Sequence, residues 1–295
     1  MKQSTVDALV AGGLDPAWVD DLVRRALAED LGDRGDVTSQ ATIPAGQAGV
    51  ADVVARSGGV VAGLPVAVAV LDIVLESPVA GAGIEQHVAD GDRISPGDVL
   101  LTVTGPTQRL LTAERTMLNV LSRASGVATA TRAWADELAG SGATVLDTRK
   151  TTPGLRALEK YAVRCGGGTN KRLGLYDVAM IKDNHVIAAG GVTAAYDAVR
   201  RTYPDVDVQV EVSTVDMAVE AVRAGATFLL CDNMPPAQLR EVVTAVGPQI
   251  QLEATGGLTL QRAREYADTG VHYLSVGALT HSAPIVDIAM DLRGR

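Results

Sequence analysis

From residue 140 onward, short apolar runs alternate with longer amphipathic stretches. This alternation constrains the fold more than any other feature of the chain. Candidate strands occupy 144–148 (TVLDT), 178–182 (VAMIK), 208–213 (VQVEVS), 227–232 (TFLLCD), 250–254 (IQLEA) and 271–276 (VHYLSV). Helical patterns follow nearly all of them, at 155–164, 193–201, 215–224, 236–246 and 259–269. Repeated βα units predict a parallel sheet, because each helix returns the chain to the edge where the next strand must start. Strand starts lie 19 to 34 residues apart, which suits an α/β barrel better than an open two-layer sheet. Lys150, Lys182, Glu211, Asp232 and Glu253 all fall at or just past a strand's C-terminal end. In a barrel that face holds the active site. An open doubly wound sheet also uses its strand C-termini, so the pattern locates a site however the sheet closes.

Positive charge is distributed unevenly. Arginine occurs 21 times and lysine five times, and four of the lysines (Lys150, Lys160, Lys171, Lys182) lie within 150–182. Lysine supplies a compact charge whose pKa burial can shift, whereas arginine supplies a fixed planar fork. The stretch 147–182 holds eight Lys or Arg against three acids, in a chain of net charge −9. A cationic island in an acidic protein suits a small, highly charged anion. A solvated basic helix face is the plainer alternative, but glycines and a TTPG turn interrupt the run.

Composition excludes several classes. With −9 net charge and 3% aromatic residues, the chain lacks the basic stripe and stacking platform of a nucleic-acid binder. The longest apolar run, near 60–75, is broken by Gly63, Pro65 and Asp72. No segment reaches the ~20 apolar residues of a membrane span. The N-terminal residues show no secretory apolar region with a cleavage site. Two cysteines in unrelated contexts, Cys165 and Cys231, form neither a disulfide framework nor a metal cluster, so a cytoplasmic location is expected.

The N-terminal part reads differently. Residues 18–31 repeat apolar positions at helical spacing and stop at Gly32. Residues 36–104 alternate valine-rich runs with turns and read as antiparallel sheet. The DGDRISPGDVLLTV stretch is reminiscent of acyl-carrier domains, but no lysine lies between 3 and 149 to be acylated, so it reads as structural. Residues 109–140 read as a helix with Leu111, Met117, Leu118 and Leu121 on one face, interrupted by Arg115 and Arg123.

The last two strands end in small-residue loops, Thr255-Gly256-Gly257 and Val276-Gly277-Ala278. Glycines let backbone N–H groups close on an anion, and barrels often bind phosphate at these loops. His281 can donate to the same phosphate. Glu211 and Asp232, on adjacent strand ends, can hold ribose hydroxyls or a Mg²⁺ that carries phosphate. His185 sits just past Lys182, while His87 and His272 read as surface or structural. No nucleophile elbow, Walker loop or dinucleotide fingerprint is present. The site therefore suits a ligand with a phosphate, a sugar and a polyanionic group, together with a second anion.

These residues resemble the quinolinate phosphoribosyltransferases, also called carboxylating nicotinate-nucleotide pyrophosphorylases. The resemblance runs through AEDLGDRGDVTS (28–39), AERTMLNVLSRASGVAT (113–129), TRKTTPGLRALEKYAVRCGGG (148–168), NKRLGL (170–175), IKDNH (181–185), EVS (211–213), CDN (231–233), ATGG (254–257) and SVGALTHS (275–282). It implies an α/β fold: an N-terminal α/β sandwich over 1–117, closed by 282–295, beside an incomplete α/β barrel over 118–281. It implies transfer of phosphoribose from 5-phosphoribosyl-1-pyrophosphate to quinolinate with Mg²⁺, giving nicotinate mononucleotide, pyrophosphate and CO₂ for de novo NAD biosynthesis. By the same resemblance Arg149 and Arg172 grip the dicarboxylate, with Arg115 contributed by the other subunit of a homodimer, and Thr148 and Lys171 also bind substrate. Lys150 and Lys182 lie between base and donor. Glu211 and Asp232 hold the ribose and metal. Thr255, Gly256, Gly257, Val276, Gly277, Ala278 and His281 bind the 5′-phosphate. The family usually has histidine at position 171, so here the charge is kept and titration near neutrality is lost.

Two other readings stay open on the residues. A related phosphoribosyltransferase could act on another pyridine. A barrel aldolase could form a Schiff base through Lys150 or Lys182.

Overall fold

The structure is a computed structural model and describes residues 1–75 and 83–294. In chain order the elements begin with α1 (Gln3–Ala11), α2 (Pro16–Leu31), α3 (Val37–Thr42), β1 (Ala48–Ala55), β2 (Gly59–Val60) and α4 (Leu64–Leu75). There follow β3 (Gly83–Gln86), β4 (Arg93–Ile94), β5 (Val99–Pro106), α5 (Thr107–Glu137), β6 (Thr144–Leu146) and α6 (Arg156–Cys165). The chain then alternates β7 (Val178–Ile181), α7 (Asp183–Ala189), α8 (Val192–Thr202), β8 (Asp207–Val212), α9 (Val215–Arg223), β9 (Phe228–Asp232) and α10 (Pro236–Val246). It closes with β10 (Gln251–Thr255), a 3₁₀ turn (Leu260–Arg262), α11 (Ala263–Ala267), β11 (Tyr273–Ser275), α12 (Ala278–His281) and β12 (Ile288–Leu292).

Two compact units result. The first comprises Met1–Ala130, Ala157–Gly167 and Ala283–Arg295, and the second Thr131–Arg156 and Gly168–Ser282. The boundary expected at 117/118 falls inside α5, a single helix of 31 residues. Leu118, Leu121, Ala124, Val127 and Ala128 on that helix are buried in the core of the first unit, which carries the unit past the expected point. The α6 segment also belongs to the first unit, although sequence order places it between two strands of the second.

The first unit is built on an antiparallel sheet ordered β12-β1-β5-β3. The C-terminal strand β12 pairs with β1 from Ala51↔Leu292 to Ala55↔Ile288. The segment leading into β12 approaches α5 tightly: a Cβ at Gly126 would lie 2.1 Å from the Pro284 carbonyl, so only glycine fits there. The expectation of sheet throughout 36–104 is met by β1, β3 and β5 and fails at α3 and α4. In α4 eight of twelve residues are buried, so no polar face marks a helical period. Its N-terminus is capped from a distance. The Asp90 carboxylate accepts from the Gly63 and Leu64 amides at 3.0 and 3.2 Å. A cap 26 residues away leaves no local signal.

The second unit is a six-stranded parallel sheet ordered β6-β11-β10-β9-β8-β7. Each strand from β8 to β11 neighbours its predecessor, while β6 pairs with β11 and not with β7. This is the cyclic order of a barrel, with the opening between β6 and β7, where a single parallel bridge joins Leu146 to Thr169. Four of the five expected helices are present, as α6, α8, α9 and α10. The one expected over 259–269 is only a 3₁₀ turn and a five-residue helix. Among the described residues no helix is long and apolar enough to cross a membrane.

Candidate active site

Parallel pairing brings the strand ends together. Register sets Thr255 beside both Asp232 and Ser275, and sets Glu211 and Glu253 beside Leu230. The result is a cavity of about 600 Å³ within the second unit. Thr148, Arg149, Lys150, Lys171, Arg172, Lys182, Glu211, Asp232, Thr255, Gly256, Gly257 and Gly277 line it, as the sequence reading expected. Glu253, expected as a polar strand end on this face, also lines it, as do Met180, Leu230, Asn233 and Ser275, for which no role was expected.

One side of the cavity is cationic. Asp147, fully buried, accepts from the Asn170 side chain at 2.7 Å and the Lys171 amide at 2.8 Å. This pins the 170–172 segment to the end of β6. Arg156 ties the adjoining loop to the same place, donating to Thr151 Oγ1, Leu173 O and Arg149 O. Arg172 donates to Val178 O at 3.1 Å. Burial lowers the Arg172 pKa first, and the nearby Arg149 lowers it further. Two guanidinium groups converging in a partly buried cavity call for an anion, and their forks can each take a carboxylate bidentately.

Lys171, expected as a substrate-binding residue, lines the cavity and is already ion-paired within the protein. Its Nζ lies 2.5 Å from both carboxylate oxygens of Glu253, which is fully buried. Burial pushes the Lys171 pKa down, against the opposing pull of Glu253. The protein therefore supplies this lysine's countercharge itself.

The carboxylates of Glu211 and Asp232 come from the ends of β8 and β9. Lys182 is ion-paired with Glu211. The Lys182 amide donates to His185 Nδ1 at 2.9 Å, so His185 caps α7 and orients Lys182. Asp232 accepts from the Asn233 side chain at 3.1 Å. Asn233 is the only non-glycine residue with positive φ (53°) among those described. Such backbone is costly and tends to persist where function holds it. Its amide donates to Thr255 O at 2.9 Å, joining the Asp232 end of β9 to the glycine loop.

That loop is the third element. Gly256 has φ +90°, and a Cβ there would lie 2.4 Å from Asn233 Oδ1, so glycine is required on both counts. Among the described residues no hydrogen bond engages the amides of Gly256, Gly257 or Gly277, which leaves them available to an anion. Four expected members of the site fare differently. The Val276 amide is committed to Leu146 O at 3.0 Å. Ala278 and His281 are exposed and lie outside the cavity lining, although His281 Nε2 would approach a Cβ at Gly277 to 3.2 Å. Arg115 is exposed on α5 in the first unit and does not line the cavity. The helices after both glycine loops are too short to add a useful dipole. Cys231 is no nucleophile, because burial first and Glu253 second push its thiol up to about 12.

The quinolinate phosphoribosyl transferase N-terminal domain model matches residues 36–125, and the C-terminal domain model matches residues 127–291. The chain is 49% identical over 275 residues to a nicotinate-nucleotide pyrophosphorylase [carboxylating] of Mycobacterium leprae, covering 92% of this chain and 96% of the relative. It is 42% identical to a probable enzyme of the same name from Bacillus subtilis, covering 92% of each. The crystal structure of NadC from Streptococcus pyogenes superposes with a TM-score of 0.89 at 36% identity, covering 95% of this chain and 97% of that one. With both family models matched and the strand-end residues gathered in one cavity, the chain belongs to the quinolinate phosphoribosyltransferase family.

Proposed function

We infer that the chain transfers phosphoribose from 5-phosphoribosyl-1-pyrophosphate to quinolinate and decarboxylates the product. The observation that carries this reading is one cavity lined by the guanidinium groups of Arg149 and Arg172, the carboxylates of Glu211 and Asp232, and the glycines Gly256, Gly257 and Gly277. Arg149 and Arg172 bind the two carboxylates of quinolinate. Thr148 shapes the turn beside them, its Oγ1 accepting from the Lys150 amide at 3.0 Å. Met180 and Leu230 give the ring an apolar surface. Gly256, Gly257 and Gly277 hold the 5′-phosphate, with His281 at the edge.

In the first step the ring nitrogen bonds to the anomeric carbon, and the bond from that carbon to the pyrophosphate oxygen breaks. Positive charge grows on the sugar, and Glu211 and Asp232 stabilise it. Lys150 and Lys182 face the leaving pyrophosphate. The ring nitrogen is then cationic. The adjacent carboxylate leaves as CO₂, its electron pair stays on the ring carbon, and that carbon takes a proton.

Among the described residues no group of three or more His, Cys, Asp or Glu side chains could hold a metal alone. Glu211 and Asp232 are two carboxylates, one of them already paired with Lys182. This donor set fits a Mg²⁺ that arrives on the donor's phosphates, since Mg²⁺ commonly takes one or two carboxylates plus substrate oxygens and water. Bound there, Mg²⁺ neutralises charge on the pyrophosphate. The active form is a homodimer in which the partner supplies Arg115 to the acid-binding wall. Its exposure on α5 supports that assignment.

The test is CO₂ release that requires both quinolinate and 5-phosphoribosyl-1-pyrophosphate. Equal use of nicotinate would move the reading to another pyridine. Borohydride trapping of a sugar phosphate on Lys150 or Lys182 would move it to an aldolase.

A further inference from the structure

Ser275 ends β11 within the cavity, and its hydroxyl has no use in the protein itself. The residue is 5% exposed, and its Oγ has no hydrogen-bond partner among the described residues. A buried hydroxyl without a partner is costly, and each such group in a folded protein calls for a reason. Its position supplies one. Register places Ser275 beside Thr255, the residue that opens the glycine loop of the cradle. Two residues further along is Gly277, where a Cβ would lie 3.1 Å from the Lys150 side chain. Between them the Val276 amide is spent on Leu146 O. The second loop of the cradle therefore lacks one of the backbone donors its sequence offers, and Ser275, which lines the cavity, immediately precedes that position.

We propose that the Ser275 hydroxyl is a ligand-contacting group at the floor of the cradle, donating to an oxygen of a phosphate monoester. The assignment rests on the functional reading above for the kind of ligand, and on burial and register for the residue. A hydroxyl suits the place because it can rotate its proton toward the anion, and a hydrogen bond to a charged acceptor is stronger than one to a neutral group. Lys150 supplies the nearby charge, and the amides of Gly256, Gly257 and Gly277 supply the remaining donors.

The experiment compares the full-length protein with its Ser275→Ala variant in two measurements, the melting temperature of the free protein and calorimetric titration. The titrants are ribose 5-phosphate, ribose and quinolinate. Removing a hydroxyl that bonds nothing leaves the free protein's melting temperature unchanged or slightly higher. The variant should bind ribose 5-phosphate roughly tenfold more weakly, as expected for one charge-assisted hydrogen bond. It should bind quinolinate as the parent does, and ribose should not distinguish the two proteins. Equal affinity of the two for ribose 5-phosphate would overturn the proposal, as would its failure to bind the parent. A lower melting temperature with matched losses for both ligands would overturn it too, by making Ser275 a structural residue. If the parent binds ribose 5-phosphate through Ser275 but does not bind quinolinate, this proposal stands and the substrate assignment falls.

Discussion

Among the described residues each unit buries one glutamate completely and gives it a cation, yet the two pairs do different things. In the first unit Glu159 accepts from Arg123 Nε and Nη2 at 3.1 and 2.7 Å, and Arg123 Nη1 also donates to Ala283 O. The surrounding side chains are core: Leu158, Ala162, Ala124 and Ala283. The arginine fork therefore clamps α6 and the C-terminal segment onto α5. In the second unit Glu253 meets the single ammonium of Lys171, and both line a cavity. Burial alone does not separate scaffold from site, because the carboxylates are equally inaccessible. The cation's chemistry and its other neighbours make the distinction. A fork with several acceptors fixes geometry, whereas a point charge at a cavity wall can exchange its partner for a ligand.

The largest expected effect would break the symmetry of this comparison. Removing one partner of a buried pair leaves a charge without compensation and costs about 3–5 kcal/mol. Glu159→Gln and Glu253→Gln should both be destabilised on that scale in urea unfolding. Quinolinate should restore part of the loss in Glu253→Gln, because its carboxylates can face Lys171, and none beyond the parent's own shift in Glu159→Gln. Equal rescue of both, or of neither, would remove the distinction drawn here.

Turnover gives the next contrast. Glu211→Ala and Asp232→Ala should lower kcat by ~10²–10³ with quinolinate affinity nearly intact, because each removes an electrostatic stabiliser of the sugar. Folded Glu159→Gln should keep kcat. Single-turnover assays beside binding titrations separate these cases. A smaller effect is expected at the arginines. Arg149→Lys or Arg172→Lys keeps the charge and loses the fork, so quinolinate Kd should rise roughly tenfold. An unchanged Kd would show that charge alone suffices on that wall.

The smallest effect is in pH. Burial holds the folded Lys171 pKa below the ordinary lysine value of 10.5. Between those two values the unfolded chain carries the extra proton, so this group makes the fold more stable as pH rises. Quinolinate binding should move the opposite way, weakening as Lys171 loses its proton in that same window. In Lys171→His the weakening should move toward neutrality. Kd and melting temperature measured across pH would check both signs.

Much of the second unit was legible from its sequence. Strand periodicity placed all six strands to within a few residues, and the polar strand ends pointed to one face. Side chains that act across elements were not legible. Glu253 was noted as a polar strand end, but its partner lies 82 residues away on an irregular segment. Asp147 read as the interior of a strand, and its work is to hold the 170–172 segment. Asn233 gave no sign of its left-handed backbone, although an Asn directly after a strand hints at a turn. Ser275 read as an ordinary strand residue. In the first unit α4 was hidden because burial on nearly every side erases the helical period.

Local chemistry and periodicity are properties of neighbouring residues, so the sequence by itself determined the βα repeat, the cationic island, the glycine loops and the pair Glu211 and Asp232. The tertiary structure alone decided which of those charges are compensated. It paired Lys171 with Glu253 and Lys182 with Glu211, spent the Val276 amide on β6, and left the Ser275 hydroxyl in the cavity without a protein partner. It also ran α5 through the expected domain boundary. The physical reason is common to all of these. Desolvation and hydrogen bonding depend on which atoms meet in space, and parallel β register brings together residues separated by tens of positions along the chain.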